Sequence, residues 1–152
     1  MTERPKTTLA VYLLLQRDDD LLFIRRQNSG WRDGSYTLVA GHVDEGESAR
    51  AAMVREAAEE VGVVTMEHDL ELVHTMHRND RSPYVDLYFR CTRWTGEPVV
   101  MEAHKAGDLI WAPSRDLPED VIDTVRLAID AIVDGRAYSD DGWAPSSPPP
   151  AP

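Results

Sequence analysis

Residues 48–62 constrain the fold of this chain most, because they carry a complete set of helix signals. Ser48 is a preferred N-terminal cap, and Gly62 is a residue that ends helices in the left-handed conformation. On a helical wheel the apolar side chains of the segment share one face: Val54, Ala57, Ala58 and Val61. The sequence therefore predicts a helix from Ser48 to about Val61 that buries this stripe.

Three carboxylates of the same segment, Glu56, Glu59 and Glu60, fall in one sector opposite the stripe. Like charges at this spacing destabilise a helix by a few tenths of a kcal/mol per pair, a cost that bound cations remove. Carboxylates suit hard ions, and magnesium bridges them to substrate phosphates. The pattern favours Mg²⁺, with Mn²⁺ as the alternative ion. For the helix alone, a solvated acidic face with an ordinary Arg55–Glu59 ion pair stays open as an alternative.

Strand-like segments lie on both sides of this helix. Branched apolar residues at 8–16 and 21–26, separated by a polar turn, predict a β-hairpin. Further strands are predicted near 36–39, 69–77, 84–94 and 108–112, and a second helix from about Leu117 to Gly135. Strands flanking one helix and followed by another predict an α+β fold with a mixed sheet covered by helices.

The length of 152 residues suits one domain, predicted over 1–137. Residues 138–152 are polar and then rich in serine and proline, which predicts a mobile tail. Cys91 is the only cysteine, so no disulfide forms within the chain. The N-terminal residues lack the layout of a signal peptide, and no apolar run is long enough to span a membrane. We therefore expect a cytoplasmic protein without membrane contact.

The net charge of −11 excludes one class of partner. Sixteen basic and twenty-seven acidic side chains repel a polyanion over most of the surface, so long nucleic acids are poor candidates. A small nucleotide remains compatible, because bound divalent cations invert the local repulsion. The sequence leaves open whether the protein is a monomer or a homodimer.

The helix belongs to a longer pattern. Gly41 is followed by five residues, Glu47, seven residues and then Arg-Glu-Ala-Ala-Glu-Glu-Val-Gly-Val at 55–63. This pattern resembles the Nudix box, which reads Gly, five residues, Glu, seven residues, Arg-Glu, an apolar residue, any residue, Glu-Glu, any residue, Gly and an apolar residue. Every fixed position matches. The departures are the small Ala57 at the first apolar place, and Leu-Val-Ala at 38–40 before the glycine instead of the usual Pro-Gly.

The resemblance implies a Nudix-type α/β/α sandwich over about 8–134, with the box helix packed on the mixed sheet. It implies that the metal ligands are Glu56, Glu59, Glu60 and the carbonyl of Gly41. Glu59 and Glu60 are also candidate catalytic residues. Arg55, together with Glu47, is implied to orient the carboxylates, and a guanidinium does this through charge-assisted hydrogen bonds.

Outside the box, residues 93–102 resemble a loop of MutT-like triphosphatases in which a glutamate follows an aromatic-Gly-Glu-Pro turn. Glu102 is the matching position, so we predict it as a catalytic residue and candidate general base; a solvent-exposed loop acid is the alternative. Arg26 and His42 are candidate substrate-binding residues, because an arginine on this strand contacts the nucleotide in MutT-like relatives and His42 follows the box glycine. No single aromatic residue is assigned to the base.

The function implied is hydrolysis of a phosphoanhydride bond in a nucleoside diphosphate-linked substrate. We predict a nucleoside triphosphate, including damaged ones, cleaved to a monophosphate and pyrophosphate. One alternative is ADP-ribose or a dinucleoside polyphosphate, although Arg78 stands sixteen residues after Gly62, where such enzymes often carry proline or tyrosine. The other alternative is a non-catalytic nucleotide-binding module, against which the complete set of box glutamates argues.

Overall fold

The computed structural model describes residues 2–151. These residues form eight strands and two α-helices in the following order: β1 (Thr8–Arg17), β2 (Asp20–Arg26), β3 (Tyr36–Thr37), β4 (Val39–His42), α1 (Ala49–Val61), β5 (Glu71–Asp80), β6 (Ser82–Cys91), β7 (Ala106–Pro113), α2 (Asp123–Val133) and β8 (Tyr138–Asp141). A short 3-10 helix, Glu67–Asp69, precedes β5. No helix within the described range is long and apolar enough to cross a membrane.

Strand β1 is the centre of the fold. It pairs in parallel with β6 from Thr8 to Leu15, and its other edge pairs antiparallel with β4. The predicted hairpin between β1 and β2 exists, but only Gln16 and Arg17 pair with β2. Beyond that corner β2 leaves β1 and pairs with β3 and β7. The strands diverge because β1 is buried on both faces and takes two other strands as its neighbours.

The alternation of β1 creates two apolar layers. Ala10, Tyr12 and Leu14 belong to the layer that contains the buried residues of α2. The alternate side chains, such as Val11 and Leu13, belong to the layer that contains the buried residues of α1. The strands β4-β1-β6-β5-β8 form a mixed sheet, with β1–β6 and β5–β8 parallel. The predicted sandwich of helices around a mixed sheet is confirmed.

Helix α1 has the caps that the sequence predicts. Ser48 is extended, at φ −77° and ψ 161°, and its side chain accepts a hydrogen bond of 3.1 Å from the backbone N–H of Ala51. Gly62 takes the left-handed conformation, φ 70°, and its N–H donates to the carbonyl of Ala58. Both ends of the helix are therefore fixed by local interactions.

The predicted buried stripe of α1 is confirmed for Ala57 and Val61 and wrong for Ala58. Its buried residues are Ala52, Met53, Ala57 and Val61, whereas Ala58 is exposed and Val54 is only partly buried. Glu56 and Glu60 lie at the packed side of the helix instead of opposite it, and the Glu56 side chain is only 14% exposed. The reason is Gly41 on β4, which presents no side chain, so that the Glu56 carboxylate takes the place of a Cβ atom.

Two boundaries also differ from the prediction. Helix α2 begins at Asp123, because the segment before it bridges to Tyr36: the N–H of Tyr36 donates to Asp120 and the N–H of Ile122 donates to Tyr36. The domain limit after residue 137 is corrected as well, since β8 adds to the free edge of β5 and Trp143 donates a 2.9 Å hydrogen bond to the carbonyl of His77. Residues 144–151 form no helix or strand.

Candidate active site

The site is built where β4 faces α1. A Cβ atom on Gly41 would overlap the Glu56 carboxylate, so glycine is the residue that lets the helix approach this strand. The next residue toward the strand's start, Ala40, donates its backbone N–H to the Glu60 carboxylate at 3.1 Å. Two glutamates of α1 are thereby held against a short, small-residue stretch of β4. Glu59 lies on the outer side, with 52% of its side chain exposed.

Arg55 links the acidic side chains of this region. Its guanidinium donates two hydrogen bonds to Glu47, at 2.7 and 3.2 Å, one to Glu56 at 2.8 Å and one to Glu59 at 3.2 Å. It also donates to the backbone carbonyl of His42 at 3.1 Å, which ties the helix to the end of β4. The Arg55 guanidinium holds the pKa of Glu47 below its usual value. These contacts suit a residue that fixes the directions of several carboxylates.

Glu60 and Glu56 are carboxyl groups in an unfavourable electrostatic environment. Burial, aided by the nearby charges of Glu56 and Glu102, raises the pKa of Glu60 to about 8. Burial also raises the pKa of Glu56, and the charges of Glu59 and Glu102 act in the same direction. The negative charges of neighbouring glutamates thus add to burial in disfavouring the ionised forms of Glu56 and Glu60.

Glu102 reaches this region from a loop. Its neighbour Met101 donates a backbone hydrogen bond of 3.1 Å to the carbonyl of Glu60, at the end of α1. Glu102 also pairs with Lys105 at 3.2 Å. Glu60, Glu102, Lys105 and Arg26 all line a cavity of about 110 Å³, which we call the acidic cavity. Sequence reasoning placed Glu102 near the box, and the structure brings it there; its catalytic role stays a prediction.

The carboxylates at the acidic cavity, Glu60 and Glu102, together with the neighbouring Glu56, fit a divalent cation chemically. Carboxylate oxygens are the ligands that magnesium and manganese prefer, and a cation relieves the mutual repulsion that raises the pKa values of Glu56 and Glu60. Within residues 2–151, however, no three His, Cys, Asp or Glu side chains already converge closely enough to hold an ion. Arg55 engages oxygens of Glu56 and Glu59, so ligation requires these side chains to reorient.

A larger cleft of about 480 Å³ adjoins the acidic cavity, and Arg26 and Ala40 line both. We call it the arginine cleft. Arg26 donates to the carbonyl of Trp31 at 2.9 Å, and its guanidinium lies 4.9 Å from the centre of the Trp31 ring. His42 is exposed at the cleft, with its ring 5.9 Å from that of Tyr84. Both predicted substrate-binding residues thus face the same cleft.

Several cleft residues escaped the sequence analysis: Tyr12, Arg78, Asp80, Arg81, Ser82 and Tyr84. They come from β1 and the β5–β6 hairpin, and the register that pairs Arg78 with Tyr84 brings them together. A signal for this region in the sequence is Asp86, a carboxylate between Val85 and Leu87 in β6. Tyr36 and Trp111 are occupied elsewhere: Tyr36 donates to Asp108 at 2.6 Å, and Trp111 lies under the Arg17 guanidinium.

Comparison with known proteins agrees with the resemblance seen in the sequence. The family model of the NUDIX domain matches residues 6–130. An uncharacterized Nudix hydrolase, YvcI of Bacillus subtilis, is 28% identical over 108 residues, which are 68% of this chain and 65% of the relative. An ADP-ribose pyrophosphatase of Methanocaldococcus jannaschii is 30% identical over 82 residues, 53% of this chain and 48% of the relative. The chain therefore spans about half to two thirds of these curated relatives.

Solved structures have the same architecture. A MutT NUDIX hydrolase from Burkholderia pseudomallei superposes with a TM-score of 0.75 at 25% identity, covering 82% of this chain and 97% of the other. A MutT protein from Methanosarcina mazei superposes with a TM-score of 0.74 at 18% identity, over 88% and 97% of the two chains, a likeness of fold alone. Both likenesses span most of the described residues.

Proposed function

Since the chain belongs to the Nudix family, we propose that it hydrolyses a phosphoanhydride bond in a nucleoside diphosphate-linked substrate with the help of divalent cations. The substrate that we propose is a nucleoside triphosphate, damaged ones included, cleaved to a nucleoside monophosphate and pyrophosphate. We propose Mg²⁺ as the ion, with Mn²⁺ as its alternative.

The observation that carries this proposal is the grouping of three acids: Glu60 and Glu102 line the acidic cavity, and the charge of Glu56 acts on Glu60. Burial and the charges of neighbouring glutamates raise the pKa of Glu56 and raise that of Glu60 to about 8, so ionising these two carboxyl groups is costly without a cation. Divalent cations remove that cost and attract the phosphate groups that the net charge of −11 otherwise repels. If these positions served the stability of the fold alone, glutamine or an apolar residue would serve better, because burying a carboxylate is costly.

Each residue has a proposed role. Glu56, Glu59, Glu60 and the carbonyl of Gly41 hold the ions, and Arg55 sets the directions of the carboxylates. When bound, the ions neutralise the phosphate oxygens and polarise the attacking water. Glu102 accepts the proton of that water as its oxygen bonds to phosphorus and the bond to the leaving pyrophosphate breaks. The Lys105 ammonium, 3.2 Å from the Glu102 carboxylate, helps to hold that carboxylate in position.

The arginine cleft supports a nucleotide as the substrate. It adjoins the acidic cavity through Arg26 and Ala40, so one extended ligand can place its phosphates in the cavity and its base in the cleft. Its volume of about 480 Å³ lies in the range of small-molecule sites. His42 and Arg26 are proposed to contact this ligand between the two ends.

ADP-ribose is a second candidate substrate, favoured by the name of the relative from Methanocaldococcus jannaschii. Both substrates contain a phosphoanhydride and a nucleoside, and the same metal site serves either reaction. A binding module without activity is the third candidate, but such a module has no need of four clustered glutamates.

A substrate panel tests the proposal. The protein is incubated with Mg²⁺ and nucleoside triphosphates, ADP-ribose or dinucleoside polyphosphates, and the products are separated and identified. We expect a nucleoside monophosphate and pyrophosphate from at least one triphosphate, and no product in the presence of a chelator. Turnover of ADP-ribose alone would identify ADP-ribose as the substrate. No turnover of any compound with either Mg²⁺ or Mn²⁺ would refute the proposal that the protein is an enzyme.

A further inference from the structure

The floor of the arginine cleft contains a buried ion pair that fixes one arginine. Asp86 is fully buried, and its two carboxylate oxygens accept hydrogen bonds from Nε and Nη2 of Arg78 at 2.7 and 3.1 Å. The Arg78 guanidinium also stacks on Tyr84, 4.1 Å from the ring centre. Arg78 is only 5% exposed, so its position is determined by these two contacts.

The third nitrogen of that guanidinium is left for a ligand. Nη1 of Arg78 makes no hydrogen bond to any described residue, and its nearest carboxylate oxygen, on Asp80, is 3.6 Å away. The hydroxyl of Tyr12, a residue 8% exposed, lines the same cleft and is also without a hydrogen-bond partner in the described chain. Arg78 and Tyr12 therefore each present to the cleft a polar group that makes no hydrogen bond to a described residue, and both groups can donate.

The chemistry around these donors favours a neutral, planar ligand over an anion. Asp86 and Asp80 already compensate the charge of Arg78, which makes it a donor more than a site for phosphate. Trp31 and Tyr84 supply aromatic surface on the cleft walls. The charged side chains that line the cleft comprise one acceptor, Asp80, and three donors, Arg26, Arg78 and Arg81. Donors therefore outnumber acceptors, which favours a ligand that accepts hydrogen bonds.

We propose that the arginine cleft selects nucleotides whose base carries a carbonyl where adenine and cytosine carry an amino group, through Nη1 of Arg78 and the hydroxyl of Tyr12. The inference rests on the proposed function, because it names the base of that same substrate. A carbonyl oxygen satisfies the donors, whereas an amino group directs its own N–H toward the donor-only guanidinium and leaves it unpaired. Tyr12 and Arg78 are thus specificity residues, distinct from the residues that hold the ions.

Matched pairs of substrates test the inference. Inosine and adenosine triphosphates differ at the exocyclic group of the six-membered ring, as do uridine and cytidine triphosphates. We expect kcat/KM of the wild type to favour the carbonyl member of each pair by about tenfold or more, since a donor that a bound amino base covers loses its hydrogen bond to water and gains none. Equal values within twofold in both pairs, or a preference for the amino members, would overturn the inference.

Two substitutions localise the effect. Tyr12→Phe removes a hydroxyl that has no partner in the chain, so folding is preserved, and we expect the carbonyl-to-amino ratio to fall by roughly 2- to 10-fold. Tyr88→Phe is the control, because it removes a buried hydroxyl that has no hydrogen-bond partner among the described residues and does not line the cleft. An unchanged ratio in Tyr12→Phe, or an equal fall in Tyr88→Phe, contradicts the assignment.

Binding without turnover separates this inference from the proposed function. Quenching of tryptophan fluorescence by inosine monophosphate and by adenosine monophosphate is measured without metal, with Trp31→Phe to identify the signal from the cleft. Tighter binding of inosine monophosphate together with no hydrolysis of any triphosphate would support the base preference of the cleft and refute the proposed hydrolase activity. Hydrolysis with no preference between carbonyl and amino bases, in rate or in binding, would support the hydrolase activity and refute the base preference of the cleft.

Discussion

The acidic cavity and the arginine cleft share Arg26 and Ala40 but have opposite chemistry. In and beside the cavity, burial and neighbouring negative charges raise the pKa values of Glu60 and Glu56, so ionising these two carboxyl groups is costly without a cation. In the cleft, the charges of Arg78 and Asp86 compensate each other, and Nη1 of Arg78 remains as a hydrogen-bond donor of fixed direction. The difference teaches that one side of the site is arranged for charge and the other for shape and hydrogen bonding.

The largest effect is expected in the acidic cavity. Glu60→Gln keeps an acceptor for the N–H of Ala40 but removes the charge. Glu59→Gln removes the charge of the exposed box glutamate that accepts from Arg55. Each should lower kcat with Mg²⁺ by roughly 100-fold or more while the melting temperature hardly changes. Glu71→Gln, an exposed acid on β5, is the control and should keep full activity. Full activity in both box variants would refute the ligand assignment.

The cleft should respond in stability instead. Asp86→Leu leaves Arg78 buried without its partner, and we expect a loss of about 3–5 kcal/mol in the free energy of unfolding, measured in urea. The double variant Arg78→Met, Asp86→Leu should recover much of that loss. Removing the exposed Arg17–Glu97 pair should cost no more than about 1 kcal/mol. A single Asp86 variant as stable as the wild type would show that the pair is not isolated from water.

Arg55 tests whether the carboxylates need to be oriented. Arg55→Gln removes the donors to Glu47, Glu56 and Glu59, and we expect the Mg²⁺ concentration for half-maximal turnover to rise by about 10- to 100-fold. Arg50→Gln, on the same helix, is the matched control. An unchanged Mg²⁺ dependence in Arg55→Gln would limit Arg55 to a role in folding.

The smallest effect is a dependence of stability on pH in the metal-free protein. The pKa of Glu60 is about 8 in the folded chain and near its ordinary value when unfolded, so the folded state binds more protons between these values. The melting temperature in a chelator should therefore fall by a few degrees more in the wild type than in Glu60→Gln as the pH rises from 5 to 8. Saturating Mg²⁺ should reduce this difference, and parallel curves in the chelator would contradict the raised pKa.

The local features of α1 were predictable because local residues determine them. Ser48 and Gly62 satisfy the ends of the helix by bonds to residues within four positions, and the box spacing identified the family. The placement of Glu56 and Glu60 opposite the buried face was wrong, because the packing of α1 depends on Gly41, a residue of another element. The helical wheel places Glu56 toward solvent. That placement fails here because Gly41 of β4 has no side chain and leaves room for the Glu56 carboxylate.

Sequence by itself determined the family, the helix with its caps and the set of carboxylates, since these follow from spacing along one segment. Only the tertiary structure decided that Glu56 and Glu60 lie against β4, that Glu102 joins them, and that β8 extends the sheet beyond residue 137. The same holds for the arginine cleft, whose Tyr12 and Arg78 come from strands that β6 separates. The register between distant strands brings such residues together, and no local periodicity encodes that register.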